Sequence, residues 1–184
     1  MSLAALNLYT PMIIELLQKR EQVASKLSTT TWALQLLGFV VFVVYHIRSA
    51  YPISTYLDFA ALGMQSFIIL GLTSFYRKRM DALVLAPILG LIAAVFAPAS
   101  ALQTLQLAAT LLTTFALMPQ IIRNFAGRTR GGWSPISAAL STAGNAVRVF
   151  TTLTLADANP LLLGQFLAGT LLNAILAVQS VVWD

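Results

Sequence analysis

Four polar side chains stand inside otherwise apolar helical runs: Gln65, Asn145, Arg148 and Asn173. An arginine held mid-membrane costs from about 3 to more than 10 kcal/mol, so Arg148 has to face a bundle interior, water or a lipid headgroup. The chemistry it offers there is contact with an anion such as phosphate or carboxylate. Snorkelling, or a structural pair with a distant carboxylate such as Asp58, would place it equally. Asn145 lies three residues earlier and shares its helical face. An amide both donates and accepts, which suits a hydroxyl-bearing ligand. It also suits interhelical hydrogen bonds, typically worth about 0.6 kcal/mol and up to about 2. A second group, Pro11, Pro119 and Gln120, concerns movement. A proline inside a helix disturbs the carbonyl four residues back and permits a kink. Pro119 and Pro11 can therefore serve as hinges or as static kinks, and Gln120 can satisfy a freed carbonyl.

Other chemistries lack their residues. There is one histidine, no cysteine and no Gly-rich phosphate loop after a strand, and the six carboxylates are scattered along helix ends. No catalytic residues, metal ligands or cofactor are expected, and the chain does not read as an enzyme. His46 sits at a helix end. Tyr45, Tyr51, Trp133 and Trp183 fall near helix ends and read as an interfacial aromatic belt.

The elements that must carry these side chains follow from composition. The sequence is 58% hydrophobic and 9% charged, with mean hydropathy +0.81. A soluble domain has roughly a quarter charged residues, so lipid is the expected solvent, with membrane lipids as neighbours. A net charge of +5 then reads as basic loops at a membrane surface rather than a nucleic-acid site. Spanning helices of about 20 residues are expected at about Ser2–Leu17, Thr30–Ile47, Ser54–Tyr76, Asp81–Phe96, Ala101–Phe125, Ser134–Leu155 and Leu161–Trp183. The first, with Pro11 inside it, is short: the membrane thins there, or it covers one leaflet, or residues precede Met1. Gln18–Thr29 reads as a loop, Ser54 as an N-cap, Asp58 as a first-turn charge favourable to the helix dipole, and Asp157–Pro160 as a turn. Lys19, Arg20 and Lys26, then Arg77, Lys78 and Arg79, then Arg123, Arg128 and Arg130 fall on one side of this layout, and only Arg48 on the other. The positive-inside rule puts the basic loops and the C-terminus on the cytoplasm-like side.

The layout repeats. Pro11 and Pro119, Pro52 and Pro160, Gln65 and Asn173, and Phe75 and Trp183 share one offset, and Gly38 and Gly144 share an offset two residues shorter, as do Leu27-Ser28 and Trp133-Ser134. The expected fold is all-α integral membrane: seven transmembrane helices as two parallel three-helix bundles joined by a linker helix. The first bundle is 1–76, the linker 77–100 and the second bundle 101–184. An odd number of helices per copy requires the linker to restore orientation, and parallel repeats of this kind are a transporter design.

Pro119-Gln120 followed by Ile121, Asn124 and the Gly131–Ser134 turn resembles the motif of the PQ-loop family, which includes SWEET sugar transporters, lysosomal amino-acid exporters and mannose-phosphate-dolichol utilisation defect proteins. Arg148-Val-Phe-Thr-Thr, Asn159-Pro160-Leu161, Asn173, Gln179 and Trp183 resemble the dolichol-utilisation branch. The first copy departs from the motif, with Met12 after Pro11. The resemblance implies a role in using or moving dolichol-phosphate-linked sugars, in the endoplasmic reticulum, with Gln65 and Asn173 contacting sugar hydroxyls in a central cavity. A plastid or mitochondrial membrane is the alternative location. Two other functions stay open: a structural or assembly subunit of a larger membrane complex or homo-oligomer, and a small-solute carrier for sugars or amino acids.

Overall fold

The computed structural model describes residues 7–53, 56–78, 82–155 and 160–183, and within these it is helical with no strand. Eight α-helices follow in order: α1 (Thr10–Ala24), α2 (Thr29–Arg48), α3 (Leu57–Tyr76), α4 (Ala86–Phe96), α5 (Ala99–Phe115), α6 (Met118–Gly127), α7 (Pro135–Leu155) and α8 (Pro160–Val182), with a 3-10 turn Ala82–Leu85 ahead of α4. α5 and α6 form one apolar stretch of 29 residues, Ala99–Gly127, so the described residues form seven rods.

Three of the prolines mark helix starts. Pro11, Pro87 and Pro119 lie in the first turn of α1, α4 and α6 rather than in helix interiors. A first-turn residue needs no N–H donor, so proline is at home there. The expected fifth helix is consequently two: Pro119 cannot donate to the carbonyl of Phe115, and the chain turns at Ala116-Leu117 before restarting. The expected loop after Leu17 is instead helical as far as Ala24, with one break at Arg20, where φ is 42° and ψ −115°. Gln, Lys, Arg and Glu are good helix formers, and Glu15 and Lys19 pair at 2.9 Å one turn apart. Ser28 caps α2, its hydroxyl accepting from the Thr31 N–H at 3.2 Å. Ser54 and the turn residues Asp157 to Asn159 lie outside the described residues.

α2 is the central rod, packed on α3, α4 and α5. Its glycine lets α5 come close: a Cβ on Gly38 would stand 2.1 Å from Thr113 Cγ2. Gly90 of α4 does the same for Leu37 of α2. In the first half α3 touches both α1 and α2, and in the second α8 touches α5, α6 and α7. Within each half, then, the last helix stands between the other two. The main apolar core joins the halves through Met12, Leu16, Leu27, Trp32, Trp133 and Leu176, all buried.

Outward-facing side chains are large and apolar, among them Leu89 and Phe96 of α4, Leu171 and Val178 of α8, and Phe150 of α7. A water-soluble monomer rarely shows so much contiguous apolar surface. Four stretches, Thr29–Arg48, Leu57–Tyr76, Ala99–Gly127 and Leu163–Val182, are long and apolar enough to cross a membrane. These features fit a multi-pass membrane protein.

Candidate functional site

A cavity of about 550 Å³ opens between the two halves. It is lined from α2 by Gln35 and Phe39, from α3 by Asp58 and Phe59, from α5 by Thr113 and Thr114, from α7 by Ser141, Asn145 and Arg148, and from α8 by Gln165, Phe166 and Asn173, with Tyr9 just before α1. α4 contributes nothing to its wall.

Three of the four polar residues expected in the pathway meet here. The Asn145 amide nitrogen donates to the Ser141 carbonyl at 2.9 Å, and that of Asn173 to the Gly169 carbonyl at 2.8 Å. Because both partners are carbonyls, both amides must turn their nitrogen to their own helix. That leaves the side-chain oxygens as the acceptors available to a guest. The Arg148 guanidinium makes no hydrogen bond or ion pair among the described residues; only its backbone carbonyl accepts one, from the Thr151 hydroxyl at 3.1 Å. Its guanidinium lies over the Phe59 ring, 5.3 Å from the centroid, and over the Phe166 ring at 5.5 Å. Asp58, in the first turn of α3, exerts a charge attraction on it across the cavity, and Asp58 Oδ1 is buried with no hydrogen-bond partner.

Gln65 is placed elsewhere. It is buried outside the cavity lining, and its Oε1 accepts from the Tyr9 N–H at 2.8 Å. That N–H is one of the unpaired donors at the start of α1, so Gln65 caps a helix by tertiary contact. Its nitrogen donates to the Ala61 carbonyl one turn back at 3.3 Å, as the Asn173 nitrogen does to Gly169, so the two residues differ in the Tyr9 N–H that Gln65 alone meets.

Beside the cavity, at the end carrying the basic loops, the halves are clasped together. Gln120 is fully buried. Its Oε1 accepts from the Ser28 N–H at 2.6 Å, and its nitrogen donates to the Asn124 Oδ1 at 2.7 Å, and to the Lys26 and Gly131 carbonyls at 3.3 Å each. Asn124 Nδ2 then donates to Gln179 Oε1 at 3.0 Å, and Arg123 reaches the carbonyls of Leu27 and Ser25. Arg130 pairs with Glu15 across the same boundary. Gln120 therefore binds the opposite half, not the carbonyl that Pro119 frees. Gly131 has φ 65°, and a Cβ there would stand 1.8 Å from Asn124 Oδ1, so the loop needs glycine on both counts. Trp133, expected at an interface, is buried and stacked on Trp32 with centroids 5.1 Å apart.

The sequence reading missed Tyr9, Gln35, Phe59 and Phe166 as lining residues, since rings and amides in apolar helices look like core. One signal was available: Asp58 and Phe166 are separated by the same offset as Gln65 and Asn173.

Fold and site together define a polytopic helical membrane protein with a polar cavity between two halves. Residues 101–161 match the PQ loop repeat family, a span holding most of α5 and all of α6 and α7, with Pro119, Gln120, Asn145 and Arg148. Comparisons with curated proteins and with solved structures give no match.

Proposed function

We propose that the chain is a seven-span protein of two parallel three-helix bundles, 1–76 and 101–184, with 77–100 as linker, and that its cavity takes the anionic, hydroxyl-rich headgroup of a lipid-linked sugar such as a dolichol-phosphate hexose. Two packing features support the architecture: the matching order of helices in each half, and the absence of α4 from the cavity wall. The observation that carries the function is Arg148, a cation in the cavity whose N–H groups have no acceptor among the described residues, one turn from the acceptor oxygen of Asn145. A phosphate would satisfy the first and sugar hydroxyls the second. A location in the endoplasmic reticulum, with basic loops toward the cytoplasm, goes with this reading.

A second reading rests on Asp58. A carboxylate across the cavity from Arg148 offsets its charge, which suits a small zwitterion or a free sugar as cargo. One experiment separates the two. Proteoliposomes are loaded with a labelled polyprenyl-phosphate hexose, and others are offered labelled free hexose or amino acid outside. The first reading predicts transbilayer movement of the lipid well above that in empty vesicles and no uptake of soluble solutes. The reverse pattern selects the second, and no acceleration of either rejects transport.

A further inference from the structure

Arg148 is held in an unusual way for a membrane cation. Its guanidinium lies over the rings of both Phe59 of α3 and Phe166 of α8, one ring from each half of the molecule. The Phe59 ring is itself backed: Phe42 lies against it with centroids 3.9 Å apart, and His46 stacks on Phe42 at 4.0 Å. Four side chains of this row are related by the repeat. Phe42 occupies in α2 the place that Arg148 occupies in α7, and Asp58 occupies in α3 the place that Phe166 occupies in α8. One copy supplies ring and acid, the other cation and ring.

The consequence is chemical. A carboxylate partner would consume the planar N–H edge of the guanidinium, because bidentate pairing uses it. Ring faces stabilise the charge electrostatically and take no N–H donor. Arginine stacks on rings in this way, whereas lysine is a compact, strongly hydrated charge that does not. The charge is thus fixed in place while its donors stay free toward the cavity.

We propose that Phe59 and Phe166 are positioning residues that hold Arg148 for an oxyanion of the ligand, with Asp58 as the counter-charge that limits how tightly the anion is held. This rests on the headgroup reading given above. The test is equilibrium binding of labelled hexose 1-phosphate and of free hexose to the purified full chain in lipid nanodiscs. Phe166→Leu and Phe59→Leu weaken hexose 1-phosphate binding about tenfold and leave free hexose within twofold. Phe166→Tyr and Phe59→Tyr, which keep the ring, retain binding. Asp58→Asn tightens the phosphate several-fold. Because a leucine could disturb folding, 3,5-difluorophenylalanine at position 166 supplies the same contrast without a change of shape, since fluorine withdraws density from the ring face, and it weakens the phosphate several-fold. Phosphate binding unmoved by leucine and difluorophenylalanine, or equal loss for phosphate and free hexose, overturns the clamp while leaving the headgroup reading intact. A wild-type protein that binds no hexose 1-phosphate overturns both.

Discussion

Gln120→Met tests whether the clasp holds the halves together. Methionine suits the space, because the equivalent place in the first half holds Met12, also fully buried. What disappears is hydrogen bonding. The Ser28 N–H loses its acceptor at 2.6 Å, and Asn124 Oδ1 loses its donor at 2.7 Å. Each lies in a buried residue. Leaving a buried polar group unsatisfied costs about 1–3 kcal/mol. The two carbonyls at 3.3 Å lose less, having weaker bonds and second lone pairs. The expected loss is about 2–6 kcal/mol. Equilibrium unfolding in mixed micelles, followed by tryptophan fluorescence, reads it out, and the stacked Trp32 and Trp133 beside the clasp are the reporters. Gln22, exposed on α1, is the control: Gln22→Met should change stability by less than about 0.5 kcal/mol, as surface substitutions do. A Gln120→Met protein as stable as that control would refute the assignment of Gln120 as a strut.

Gly38→Ala forces a methyl to within 2.1 Å of Thr113 Cγ2 and 3.1 Å of the Ala109 carbonyl, and should cost about 1–3 kcal/mol through overpacking. Adding Thr113→Ser, which deletes that methyl, should recover part of the loss, and a double-mutant cycle showing strict additivity would exclude the contact. Glu15→Gln removes the pairs with Arg130 and Lys19, which are partly exposed. The expected cost is about 1 kcal/mol after solvent screening, shrinking as salt is raised; a salt-independent loss would point to packing instead. Arg148→Ala should abolish movement of the lipid-linked sugar and Arg148→Lys should reduce it less severely, and near-normal rates in both would remove the anion contact.

The helical rods were legible because long apolar runs and basic loops are constrained by the bilayer, and of the spacings from which a repeat was expected, that of Pro11 and Pro119 joins two helix starts. Where the helices actually begin was less clear. Proline has two uses, kink and first turn, and the spacing of Pro11 and Pro119 is the same in both. Gln65 and Asn173 show the same limit at the site. They occupy equivalent positions, yet one caps the Tyr9 N–H and the other faces the cavity, and that difference is set by neighbours distant in sequence. Arg148 stood out because its cost in lipid demands an explanation. Its ring partners did not, since a phenylalanine in an apolar helix needs none. Trp133 was misplaced for a related reason: a tryptophan after a basic loop fits an interface, and only the return of the loop onto α2 buries it against Trp32.

The chain has no native cysteine, so one introduced thiol can report on the cavity alone. Gly144 lines it, and a Cβ there meets nothing within 4 Å. The direct measurement is the rate at which Gly144→Cys, in membranes, reacts with a hydrophilic thiol reagent, with and without a polyprenyl-phosphate hexose. A water-accessible headgroup site predicts rapid labelling that the lipid-linked sugar slows severalfold, with that protection lost in Arg148→Ala. Labelling that is absent, or that the lipid leaves unchanged, would contradict it.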